Sequence, residues 1–397
     1  MVSMQRANLS GANRAGLRVA GTIGGHILYK STVIAMDEAR IPLAAIKGRG
    51  AATYLPHRFE KDARAVFDDG WGSLDEAASN EGAPLQTHVT LEDAKSAISA
   101  NDSPDIYFDY SVNPYRGCEH GCIYCYARPT HSYLNMSPGL DFETRLIAKR
   151  NIAEVLRAEL ARKSYVPQMI NIGSATDCYQ PVEREYQLTR QLIEVMKEAR
   201  HPFALVTKSS GVERDLDLIA PMAASNLAAV YITLTTLDGD VARKLEPRAA
   251  APHRRLRTIR TLAEQGVPVG VSLAPHIPFV TEDMEQVLEA AWEAGARSAF
   301  HHVVRLPWEV APLFKEWLEV HYPHRAARIM ARIQDMRGGK DYDASFSTRM
   351  KGSGLWAELI RQRFEKASRR IGFNRVRVEL DLSQFRPPGV NGQSSLF

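Results

Sequence analysis

The sequence predicts an α/β fold built on an incomplete barrel of six strand–helix units, and three observations carry that expectation. Short apolar runs alternate with amphipathic segments from residue 83 to about 310. The amphipathic segments repeat apolar residues at helical spacing. A cysteine-dense loop follows the first strand, at the end of the sheet where strand–helix folds carry their chemistry.

Residues 1–82 are rich in Gly, Ala, Asp and Arg with weak periodicity, which predicts a largely disordered N-terminal extension. The first 36 residues have no acid and carry Arg6, Arg14 and Arg18, a composition that imitates a transit peptide. With no continuous apolar core there, and with Met36 opening a more ordinary segment, a disordered extension or an over-long start is expected. A short strand at 111–112 then leads into the cysteine loop, and strands follow at 169–172, 203–207, 229–234, 267–273 and 299–304. Between them, Leu188, Leu192, Val195, Met196 and Ala199 mark one helix, and Met284, Val287, Leu288, Ala291 and Trp292 another. Six alternating units imply a parallel sheet with right-handed crossovers, curled into a partial barrel over 83–310. A helical C-terminal extension is expected over 311–385, with helices at 312–338 and 354–372 and a short extended stretch at 376–382. The glycine clusters after Arg337 and Lys351 read as flexible loops. Residues 386–397 form a flexible tail.

The chain has 397 residues, 45% hydrophobic and 24% charged, enough to bury a sizeable core. A net charge of +4 is too small to demand a nucleic-acid partner. Residues 243–260 nevertheless hold seven Lys/Arg against the single Glu246, and read equally as solvated helix faces or as a phosphate-binding surface. No run of eighteen apolar residues exists, so no membrane span is expected. Free cysteines and the lack of a secretory signal point to a reducing cytoplasm.

Cys118, Cys122 and Cys125 form a C-x3-C-x2-C loop, and Cys178 is the fourth cysteine of the chain. Three closely spaced thiolates ligate three irons of a four-iron cluster and leave one iron open to a small molecule. A zinc ribbon shows two C-x2-C pairs or Cys/His pairs about a dozen residues apart, and no second pair exists here. His120, inside the loop, offers a Cys3His zinc site as the metal alternative. A structural disulfide fits poorly with so few cysteines.

The loop, with Tyr124 just before its last cysteine, resembles the signature of the radical S-adenosylmethionine (SAM) enzymes. The flanking Asn113-Pro114-Tyr115-Arg116-Gly117-Cys118 and Cys125-Tyr126-Ala127-Arg128 resemble more narrowly the branch related to spore photoproduct lyase, a DNA-repair branch, across residues 83 to 380. That resemblance implies a partial (β/α)6 radical SAM barrel, a [4Fe-4S] cluster on Cys118, Cys122 and Cys125, and SAM chelated to the open iron. It further implies a 5'-deoxyadenosyl radical, lyase-type cleavage of a carbon–carbon bond in damaged DNA, and an electron donor such as flavodoxin or ferredoxin. The protein's own task is to bind, orient and exclude water.

By the same resemblance, Ser174 or Thr176 contacts the methionyl part of SAM, Lys208 its carboxylate, and Thr233 the ribose side. Lys208 also reads as a salt-bridged barrel lysine. The branch returns a hydrogen atom through a cysteine just before a Ser/Thr-Asp pair, a position held here by Ala175. Cys178 sits just after Asp177 instead, either as a shifted donor or as a small buried apolar residue. Tyr124 and Tyr126 relay a hydrogen atom or pack the loop. Glu246, Arg248 and Arg254 shape the barrel mouth or lie on a surface loop.

The chain ends Gln393-Ser394-Ser395-Leu396-Phe397 after a Pro- and Gly-containing spacer, two adjacent apolar side chains on a flexible tether. It resembles the peptide with which bacterial replication and repair proteins bind the β sliding clamp. Gln393, Leu396 and Phe397 would make the contacts. Two other readings stand beside DNA repair. One keeps the radical chemistry on RNA, a peptide or a metabolite; the other is a non-catalytic zinc or Fe-S module recruited to the clamp.

Overall fold

The computed structural model describes residues 43–60 and 85–389. The expectations for the rest of the N-terminal extension and for the tail from residue 390 lie outside the described residues.

Strands β1 (His88–Glu92), β2 (Ile98–Ala100), β3 (Tyr110–Val112), β4 (Tyr115–Arg116) and β5 (Arg145–Lys149) come first. They are followed by β6 (Ile170–Ile172), β7 (Phe203–Thr207), β8 (Ala228–Thr233), β9 (Val269–His276) and β10 (Ser298–Val303). β3, β6, β7, β8, β9 and β10 lie side by side in chain order and all parallel, while β2 adds an antiparallel edge beside β3. The order does not return from β10 to β2, so the barrel is open. Sequential neighbours follow from repeated strand–helix crossovers of one hand. The expected strands match these six to within three residues at either end. β7 and β8 are apolar and buried almost throughout, as strands covered on both faces must be. At Gly270 the absence of a side chain lets the Tyr231 ring cross from β8, since a Cβ there would meet it at 2.3 Å.

The helices over the sheet are α1 (Ile152–Leu160), α2 (Leu188–Glu198), α3 (Leu216–Ala224), α4 (Pro252–Glu264) and α5 (Met284–Glu293). The two helices whose apolar positions were read from sequence are α2 and α5. The helix expected over 312–338 is instead two, α6 (Val310–His321) and α7 (Ala326–Asp335). Tyr322 leaves helical geometry at φ −141° because Pro323 follows it. α8 (Gly354–Ile371) ends at Gly372 with φ +112°, a left-handed cap that glycine adopts without strain. The expected extended stretch at 376–382 pairs with no strand. Past it, the Phe385 ring packs on His201 at 5.3 Å and Tyr165 at 5.4 Å.

A second sheet escaped the sequence reading. β1 pairs parallel with β5, and β4 pairs antiparallel with β5, so this small sheet brackets the cysteine loop from both sides in sequence. β4 has only two residues and β1 is His-Val-Thr-Leu-Glu, mostly polar, so neither makes the apolar run that marked the barrel strands. Below the loop a separate apolar core joins Ala51, Ile123, Leu245, Phe314 and Trp317, each 2% exposed or less. Part of the stretch expected to be a loose extension therefore contributes a core residue, Ala51.

Candidate active site

The cysteine loop runs from β4 into a 3-10 helix, Arg128–Leu134, and its conformation is fixed by a buried charge. Arg128 and Glu143 are both fully buried and lie 2.5 Å apart. Arg128 Nε donates to Cys122 O at 2.9 Å, and Nη2 donates to Gly121 O at 3.1 Å. The remaining valences of Glu143 are filled by the backbone N–H groups of Gly50 and Ala51, each at 2.9 Å. Arg49 Nη1 donates to the Glu143 carbonyl at 2.8 Å. A buried ion pair holds only when such hydrogen bonds satisfy both partners. Gly50 is required by close approach, because a Cβ there would fall 1.8 Å from Gly121 O.

Further contacts close the cradle. Gln180 donates to Gly117 O at 3.1 Å and accepts from Glu119 N at 2.8 Å. Ile123 N donates to Leu245 O, and Arg248 N donates to His120 O. Glu246 is 2% exposed and takes hydrogen bonds from the Tyr124 hydroxyl and from Arg255, so it lies beneath the loop rather than on the barrel mouth or the surface. Four of the seven basic residues between 243 and 260 are likewise engaged internally: Lys244 with Asp240, Arg248 with Glu119, Arg254 with Glu213 and Arg255 with Glu246. The positive run counted in the sequence is mostly neutralised within the molecule.

Above the cradle, at the carboxyl ends of the strands, opens a cavity of about 430 Å³. Its walls carry Cys118, Cys122 and Cys125, and also Tyr124, Tyr126, Ser174, Thr176, Asp177, Lys208 and Thr233. All four cysteines are free thiols. Among the described residues, no three Cys, His, Asp or Glu side chains close around a point as a single ion requires. The three thiols lie on the lining of this one cavity. Burial drives the Cys118 thiol well above its ordinary pKa and that of Cys122 to about 12, so these sulfurs ionise only against a cation.

Asp177 ties the floor together. It accepts from Thr207 Oγ1 at 2.6 Å, Lys208 N at 2.7 Å and Tyr179 N at 2.9 Å. His120 Nδ1 lies 3.2 Å from it, off line for a hydrogen bond. Burial alone would raise the Asp177 pKa, but His120, Lys208 and the Thr207 hydroxyl outweigh it and hold the carboxyl far below its usual range. Such a carboxylate anchors rather than shuttles a proton. Lys208 forms no ion pair among the described residues; its Nζ stands 5.9 Å from the Tyr124 ring centre. Burial works against its charge, yet negative charge at Cys122, Glu246 and Asp177 prevails and raises its pKa.

Cys178 is not brought to the cavity. It is fully buried in the main core, its sulfur behind Gly173, where an added Cβ would touch it at 3.0 Å. The side chain after Asp177 turns inward while those of 174–177 face the cavity. The two tyrosines also differ. Tyr124 is buried on Glu246, whereas Tyr126 is 49% exposed to the cavity and donates to Ser174 O.

The sequence reading missed Tyr107, Phe300, His302, Arg305 and Arg349, which form the upper wall. Arg305 stands two residues past β10 and was accessible to the same strand-end rule that selected Lys208. Tyr107 and Arg349 come from loops far apart in sequence and gave no signal.

The model of the radical SAM superfamily matches residues 112–291 of this chain. An uncharacterized protein of Mycobacterium tuberculosis is 34% identical over 252 residues, covering 62% of this chain and 74% of that protein. An uncharacterized protein of Methanocaldococcus jannaschii is 26% identical over 230 residues, 58% of this chain and 82% of its own length. Among solved structures, a cysteine-to-alanine mutant of spore photoproduct lyase aligns with a TM-score of 0.48 at 15% identity, over 71% of this chain and 79% of that one. A likeness of that degree carries no argument about chemistry. The chain belongs to the radical SAM superfamily. Membership implies a [4Fe-4S] cluster and SAM.

Proposed function

We propose that this chain is a radical SAM enzyme acting on damaged DNA, in which Cys118, Cys122 and Cys125 hold the [4Fe-4S] cluster on the cavity floor. The observation that carries the reading is the set of three free thiols on one braced loop beside an ammonium without an ion-pair partner, Lys208. When bound, cluster and SAM together supply a 5'-deoxyadenosyl radical. Lys208 offers its charge to the carboxylate of SAM, Ser174 and Thr176 line the methionyl side, and Thr233 the ribose side. Tyr126 returns a hydrogen atom in this reading, which its exposure to the cavity supports, and the burial of Cys178 in the main core speaks against the shifted-donor alternative. Asp177 positions Lys208 and the loop.

The DNA substrate rests on the resemblance of residues 113–128 to the spore photoproduct lyase branch, and on a cavity walled by flat rings. A duplex lesion would have to be extruded to reach it. Anaerobic reconstitution should give about four irons per chain, and SAM should be cleaved to 5'-deoxyadenosine. Deuterium passing from a labelled lesion oligonucleotide into that product would support DNA. SAM cleavage that no lesion stimulates would remove it, and zinc with no cleavage would remove the enzyme.

Gln393, Leu396 and Phe397 lie outside the described residues, and docking on the β sliding clamp stands as part of the proposal. Deleting 393–397 should abolish clamp pull-down and leave SAM cleavage intact. Reduction by flavodoxin or ferredoxin is testable with either purified donor. No helix among the described residues is long and apolar enough to cross a membrane.

A further inference from the structure

Arg128 and Arg255 beneath the cavity floor each have a carboxylate partner, and at the upper wall one arginine has none among the described residues. Arg305 has its guanidinium carbon 5.0 Å from the Tyr126 ring centre. Its Nη1 contacts the Met350 sulfur at 2.9 Å, a weak acceptor, and its Nε is buried with no hydrogen-bond partner. Among the described residues no carboxylate forms an ion pair with it. Its neighbour Arg349 shows the contrast, since Asp105 takes that guanidinium by two hydrogen bonds of 2.6 Å. Burial pulls the Arg305 pKa down, but an arginine stays charged in a protein. An uncompensated cation with a free donor edge is costly until an anion arrives.

The surroundings narrow the anion. Tyr107 and Phe300 lie 6.3 Å apart, and Phe300 and His302 5.4 Å apart, giving planar faces beside Arg305. Burial, helped by His301 and Arg305, lowers the His302 pKa to about 4, so at neutral pH His302 adds no competing charge. Arg305 follows β10 and Lys208 follows β7, three strand spacings away. That is about 14 Å across the sheet at the usual strand separation.

We infer that Arg305 binds the phosphodiester of a nucleic-acid substrate, with the contacting Tyr107 and Phe300 rings forming an apolar wall for the attached base. The inference rests on the nucleic-acid reading above and assigns the residue that reads its backbone charge. Arginine suits this role because its fork of donors matches phosphate oxygens.

The test uses reconstituted protein with SAM under anaerobic conditions and two probes of the same shape: thymidylyl-(3'→5')-thymidine and its uncharged methylphosphonate analogue. Wild type should bind the charged probe about tenfold or more tightly, the value of one charge-assisted hydrogen bond. Arg305→Gln should erase that preference by weakening the charged probe alone, and Arg305→Lys should recover part of it. Circular dichroism and iron content verify that each variant is folded. If Arg305→Gln does not fold, the wild-type preference and the lysine variant decide. A folded Arg305→Gln that keeps the preference, or a wild type indifferent to charge, overturns the Arg305 assignment and leaves the nucleic-acid reading standing. A wild type that binds neither probe sinks both.

Discussion

The floor of the cavity and its upper wall solve opposite problems with the same kinds of residue. On the floor, Arg128 is wholly buried and every donor of its guanidinium that bears on the loop is taken, by Glu143, Cys122 O, Gly121 O, Pro138 O and Gly139 O. At the upper wall, Arg305 is half-buried, with one sulfur contact and an orphaned Nε. The first arginine is structural because its hydrogen-bonding capacity is spent. The second has capacity left over on the wall of a cavity, where a ligand can use it. The contrast teaches that burial of a charge does not by itself mark function; an unsatisfied donor on a cavity wall is the stronger sign, since Arg332 and Arg337 have the same orphaned Nε away from the cavity.

The largest expected effect breaks the floor. Glu143→Ala strands a buried Arg128 and should cost about 3–5 kcal/mol, as loss of one partner of a buried pair does. Urea denaturation and iron retention after reconstitution check it, and unchanged values would mean that the floor is not the rigid half.

A second effect comes from the wall. The folded pKa of His302 is about 4, below the unfolded value of about 6.5. The unfolded chain therefore binds a proton that the folded chain refuses, so stability is full above pH 6.5 and falls as pH drops toward 4. The loss is about 2–3 kcal/mol. Denaturation at pH 7 and pH 4.5 should show a smaller difference in His302→Gln than in wild type. Equal differences would place the titration elsewhere.

Gly50→Ala drives a methyl into Gly121 O, and should cost about 1–3 kcal/mol by overpacking while displacing the loop. The cluster's electron paramagnetic resonance spectrum would register the displacement; an unaltered spectrum and midpoint would show that the 43–60 segment yields without moving the loop. The smallest effect is that of Arg349→Gln. Its pair with Asp105 keeps 14% and 12% of its side chains exposed, so water can partly replace the lost contact and the loss should be about 1–2 kcal/mol. A cost rivalling that of Glu143→Ala would erase the distinction between the two regions.

Much of this was legible from short-range pattern. The five long strand candidates and α2 were readable because apolar residues recur at a period set by backbone geometry. The cysteine spacing placed three thiols on one loop, and strand-end position selected Lys208. The small sheet of β1, β4 and β5 was not readable, because β4 spans two residues and β1 is mostly polar, and neither makes the apolar run that marked the barrel strands. The sequence left Cys178 open between a shifted donor and a small buried residue, and the structure shows the buried one; proximity to Asp177 does not say which way a side chain points in an irregular loop.

By itself the sequence determined the order of strands and helices, the cysteine loop at the end of the first barrel strand, and the superfamily. Those depend on neighbours within a few residues, whose geometry is fixed by backbone period and covalent spacing. Only the tertiary structure decided which charges are spent and which remain available: that Glu143 and Gly50 lock the loop, that Glu246 lies beneath it, that Cys178 is sealed in the core and that Arg305 has no carboxylate partner among the described residues. Pairing of that kind joins residues up to about a hundred or more positions apart, and satisfaction of a buried charge is a property of three-dimensional surroundings that no local pattern encodes.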